Sequence, residues 1–93
     1  MDELLQRSAG LPEIRLAAGD TVVREGDAGD GLWILVSGTL MVSKDGIAIN
    51  SVSRPGAAIG EISLLLDSPY SGTVVARAPS VVRFAAHGLA FLV

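Results

Sequence analysis

The sequence predicts a mainly β fold, a barrel or a jelly-roll-like pair of sheets built from about eight short strands. Two observations carry this prediction. Eleven glycines cut the chain into short runs of β-branched and aliphatic residues, which is how strands joined by tight turns read. The composition, 49% hydrophobic and only 18% charged, is that of a chain that folds around apolar layers.

Taken in order, residues 2–7 suit the last turns of an amphipathic helix, stopped by Gly10 and Pro12. Residues 14–17 and 21–24 are short strands joined across the turn-forming Ala18-Gly19-Asp20. Residues 25–31 hold three glycines and two aspartates, and so form a loop. Leu32-Trp33-Ile34-Leu35-Val36 is the clearest strand. Ser37-Gly38 fits a hairpin turn into a strand over 39–43, and Asp45-Gly46 a type I′ turn into a strand over 47–52. These strands are expected to form a meander. After Arg54-Pro55-Gly56 comes a further short strand, then one or two helical turns over 60–66, and closing strands over 73–77 and 81–85. Residues 87–93 read as the start of a helix.

A chain of 93 residues makes a single domain, 1–93. With a net charge of −3 and seven scattered Lys and Arg, it offers no basic face for direct nucleic acid contact. The absence of cysteine removes disulfides and thiolate metal sites and fits the cytoplasm. No apolar run reaches the roughly 18 residues of a membrane helix.

Chemistry concentrates between Gly60 and Val75. A glycine before a helix start lets backbone amides meet an anion, and Glu61 beside it could accept a hydrogen bond from a sugar hydroxyl. On spacing alone, Glu61 reads first as a favourable charge in a helix's first turn, worth a few tenths of a kcal/mol to about 1. Asp27 and Asp30 lie among glycines, but the alternating carboxylates of a calcium loop are missing, so a solvated turn is expected there. His87, the single histidine, rules against a multi-histidine metal site or a catalytic triad. Trp33 reads as a core or interface residue. With no nucleophile paired to a base, no enzyme is expected.

Gly60-Glu61-Ile62-Ser63-Leu64-Leu65, followed by Ser68-Pro69-Tyr70-Ser71-Gly72-Thr73-Val74, resembles the phosphate-binding cassette of cyclic-nucleotide-binding domains. The stretch from Glu25 to Gly38 is similar to that family's glycine-bearing hairpin, in the expected order. The resemblance to this superfamily, of catabolite-activator-like and protein kinase A regulatory-subunit-like β-rolls, spans residues 14–85. It implies a double-stranded β-helix with a short cassette helix and truncated flanking helices. It implies cyclic AMP or cyclic GMP as ligand rather than a cofactor, and a site at Gly60, Glu61, Ile62, Ser63, Tyr70, Ser71, Gly72 and Thr73. In the family the glutamate takes the ribose 2′-hydroxyl and an arginine after the proline pairs with the phosphate. Gly60, Glu61 and Ser71 match.

Tyr70 stands at the arginine position, and Gly72 where alanine is usual. A guanidinium gives charge and a bidentate fork, whereas a phenol donates one neutral hydrogen bond. Losing such a pair removes roughly 3–5 kcal/mol, enough at about 1.4 kcal/mol per tenfold to turn a micromolar ligand into a millimolar one. The resemblance therefore implies a regulatory module with a degenerate pocket and weak or lost affinity. A competent sensor and a structural or protein-interaction domain with a vestigial pocket remain open alternatives, as does the effector. Leu89-Ala90-Phe91-Leu92-Val93 lacks a polar face, which predicts docking on the roll or a homodimer.

Overall fold

The computed structural model describes residues 3–29 and 31–86. Asp30 and the tail from His87, on which the expectation of self-association rested, lie outside the described residues. A short helix α1 (Glu3–Arg7) precedes β1 (Glu13–Leu16), β2 (Thr21–Val23), β3 (Leu32–Ser37), β4 (Leu40–Lys44), β5 (Ile47–Val52) and β6 (Ala58–Ile59). Helix α2 (Glu61–Leu66) follows, then β7 (Thr73–Ala76) and β8 (Ser80–Ala85). Predicted and observed strand ends agree to about one residue, within the usual uncertainty of assignment.

The strands form two four-stranded antiparallel sheets, ordered β1-β8-β3-β6 and β2-β7-β4-β5. The pairing is nested: β4 with β5, β3 with β6, β2 with β7 and β1 with β8. The chain is thus one long ribbon, doubled back at Asp45-Gly46 and wound into a jelly roll. That tip is a type I′ turn with positive φ at both residues, 52° and 78°.

The expected meander is corrected here. β3 and β4 lie in different sheets, so Ser37-Gly38 is a corner between sheets and not a hairpin. Gly38 takes φ 98°, and a corner and a hairpin draw on the same turn chemistry.

The main core sits between the sheets, around Val23, Leu35, Leu40, Ile59, Tyr70, Val74, Ala76 and Val82, with Trp33 and Val42 packed against it. A second cluster of Leu32, Ile34 and Ala85 lies on the other face of β3 and is covered by Leu4 and Leu11. Both faces of β3 are therefore sheltered, which is why its sequence is a continuous apolar run rather than an alternation. Arg83 fastens α1 over that face. It donates to the Leu5 carbonyl at 2.7 Å and to Ser8 Oγ at 3.1 Å, and its Nε meets Glu13 at 3.1 Å.

Nesting also positions the site. Because β2 pairs with β7 and β3 with β6, the β2–β3 loop and the β6–β7 connection are the two sides of one corner of the roll. Residues 25–29 and Gly31 therefore lie against residues 60–72. Among the described residues no helix is long and apolar enough to cross a membrane.

Candidate functional site

Gly60 opens the β6–β7 connection. It adopts φ 91° and ψ 6° as the residue before α2, a left-handed conformation that favours glycine. A Cβ there would lie 2.9 Å from the Tyr70 ring and 3.0 Å from the Gly31 carbonyl. The chain then makes one short helix, turns at Asp67 with φ 50°, and returns. The return is closed by Ser63: its carbonyl accepts from the Ser68 amide at 2.9 Å, and its hydroxyl donates to the Pro69 carbonyl at 3.1 Å.

Tyr70 joins this connection to the facing loop. Its hydroxyl donates to the Gly31 carbonyl at 3.1 Å. Its amide donates to the Asp27 carbonyl, and its own carbonyl accepts from the Gly26 amide, both at 2.9 Å. The side chain is 9% exposed and belongs to the main core. The phenol is thus committed to holding the corner together.

A cavity of about 180 Å³ opens beside it. Its wall includes seven of the residues singled out in the sequence: Gly60, Glu61, Ile62, Ser63, Tyr70, Ser71 and Gly72. Ile62 is largely exposed and Ser63 buried. Thr73 is not part of the wall; its hydroxyl accepts from the Glu25 amide at 3.1 Å. The departure at Gly72 has a steric reason, since a Cβ there would lie 2.7 Å from the Ser43 carbonyl.

Sequence reasoning missed the apolar side of the wall, Val23, Val42, Ala58, Ile59 and Val74. These come from four strands scattered along the chain, and only the pairing brings them together. Among the described residues the wall contains no lysine or arginine. Glu61, exposed, also borders a second cavity of about 550 Å³ that runs past Leu4, Val52 and Arg54. Among the described residues no group of three His, Asp or Glu side chains is placed to hold a metal ion.

The family model described as the cyclic nucleotide-binding domain matches residues 13–88. The chain belongs to that family. This cyclic nucleotide-binding domain is 38% identical over 84 residues to a cAMP-dependent protein kinase regulatory subunit of Yarrowia lipolytica, covering 88% of this chain and 22% of the relative. The domain therefore spans about a fifth of the length of that curated relative.

Among solved structures, it resembles a cAMP-bound PfPKA-R with a TM-score of 0.74 and 30% identity, over 80% of this chain and 26% of the other. It also resembles the N-terminal domain of a transcriptional regulator from Streptomyces coelicolor, with a TM-score of 0.77 and 28% identity, over 99% and 71%. The jelly roll is the fold of this family.

Proposed function

We propose that this domain is a non-enzymatic regulatory module whose cavity takes a cyclic nucleotide, cyclic AMP or cyclic GMP, with weak affinity. The observation that carries the reading is Tyr70. It occupies the position where the family's arginine is expected, its hydroxyl is engaged by the Gly31 carbonyl, and among the described residues the cavity wall offers no cation. At about 180 Å³, the cavity is also smaller than the roughly 300–1,000 Å³ of ordinary ligand pockets.

In this reading Gly60, Ile62, Ser63, Ser71 and Gly72 bound the ligand and Glu61 accepts from a sugar hydroxyl. Thr73 supports the corner through Glu25. The output belongs to an effector, either a further domain or a partner such as a kinase catalytic chain, the class suggested by relatives that are kinase regulatory subunits. A cysteine-free chain suits the cytoplasm.

Titration calorimetry with cyclic AMP and cyclic GMP tests the affinity. Dissociation constants of about a millimolar or weaker are expected from the loss of roughly 3–5 kcal/mol. Saturation at micromolar concentration would overturn the claim that Tyr70 sets the affinity.

A further inference from the structure

Lys44 is a cation just outside the cavity wall. It ends β4, two residues beyond Val42, and so shares a strand face with that lining side chain. Its ammonium donates to the carbonyl of Ser71, itself part of the wall, at 3.0 Å. Its second neighbour is the Glu25 carboxylate, 3.9 Å away.

The two partners are held unequally. Glu25 is fixed on both sides: its amide donates to Thr73 Oγ1, and its Oε1 accepts from the Asp45 amide, each at 3.1 Å. The Lys44 side chain is 53% exposed, and a loose, solvated ion pair of this kind holds its members weakly. An ammonium has three donors, so it can keep the Ser71 carbonyl while meeting an anion placed beside it.

We propose that Lys44 is the cation that meets the anionic group of a ligand in this cavity, and that Glu25 limits how much of its charge that ligand receives. The proposal rests on reading the cavity as a nucleotide pocket and adds a residue that decides between a phosphodiester and a neutral nucleoside.

The test is calorimetric titration with cyclic AMP and with adenosine, which carries base and sugar without phosphate. The proteins are wild type, Glu25→Gln, Lys44→Met and the double variant. Glutamine keeps an acceptor for the Asp45 amide and methionine keeps most of the aliphatic stem, and thermal melts confirm that each variant folds. Glu25→Gln is expected to tighten cyclic AMP about five- to tenfold and leave adenosine unchanged. The gain should vanish in the double variant and shrink at high ionic strength.

If wild type binds cyclic AMP but Glu25→Gln binds it no more tightly, or the gain survives Lys44→Met, the role of Lys44 is wrong and the nucleotide pocket stands. If no folded variant takes up either ligand, the pocket reading fails, and the role of Lys44 with it.

Discussion

At the scale of the residue, Tyr70 shows what a sequence can and cannot disclose. Its place after Pro69, in a stretch that resembles the family's cassette, is where a charged group is expected. What it does instead depends on Gly31, 39 residues away, and nothing in a local pattern announces that partner. The buried phenol forms a hydrogen bond whose loss would leave the Gly31 carbonyl without its side-chain donor. Tyr70→Phe, which keeps the ring, is therefore expected to lower unfolding stability by about 1–2 kcal/mol, read as a lower urea midpoint at unchanged slope. An unaltered midpoint would show that the hydroxyl contributes nothing to the corner. Trp33 differs from Tyr70. An apolar strand marked it as core or interface, and it lies half-buried against the main core, its ring tilted against Phe84 at 4.5 Å, with the buried Nε1 unpartnered among the described residues.

At the scale of the element, eight strands and the cassette helix were legible because each is bounded by a turn with its own chemistry. Their partners were not. Asp45-Gly46 was read correctly since two successive positive-φ residues suit a tight hairpin. Ser37-Gly38 was misread because one positive-φ glycine serves a hairpin and a corner between sheets equally well. The start of α2 gives the sharpest test of local necessity. Gly60→Ala meets both a left-handed backbone and a ring 2.9 Å from the new Cβ, so a loss of about 1–3 kcal/mol is expected. Gly10→Ala, with nothing within 4 Å, should change stability by less than about 0.5 kcal/mol. Paired denaturation curves decide it, and equal midpoints would contradict the strain assigned to Gly60.

At the scale of the whole molecule, nested pairing makes most contacts distant in sequence: the β1–β8 ladder sets Glu13 against Arg83 and Leu16 against Ser80. Such a topology closes large loops before it gains from them, so refolding after stopped-flow dilution is expected in the millisecond-to-second range, as for other all-β domains. Microsecond refolding would show that local contacts dominate instead. No periodicity within the chain encodes this order of closure, which is why the rolled double-stranded β-helix was foreseen from strand count and family likeness, while the local reading of β3 to β5 as a meander missed it. The stitched corner has a further consequence for how such a module could work as a switch. A ligand moves an equilibrium only by as much as it prefers one state over another. Here three Tyr70 hydrogen bonds hold the β2–β3 loop to the connection between β6 and β7, so under the proposed function a nucleotide would have little closure left to drive. On that reading Tyr70→Phe, which removes one of the three bonds, is expected to widen the difference that a nucleotide makes between an open and a closed corner.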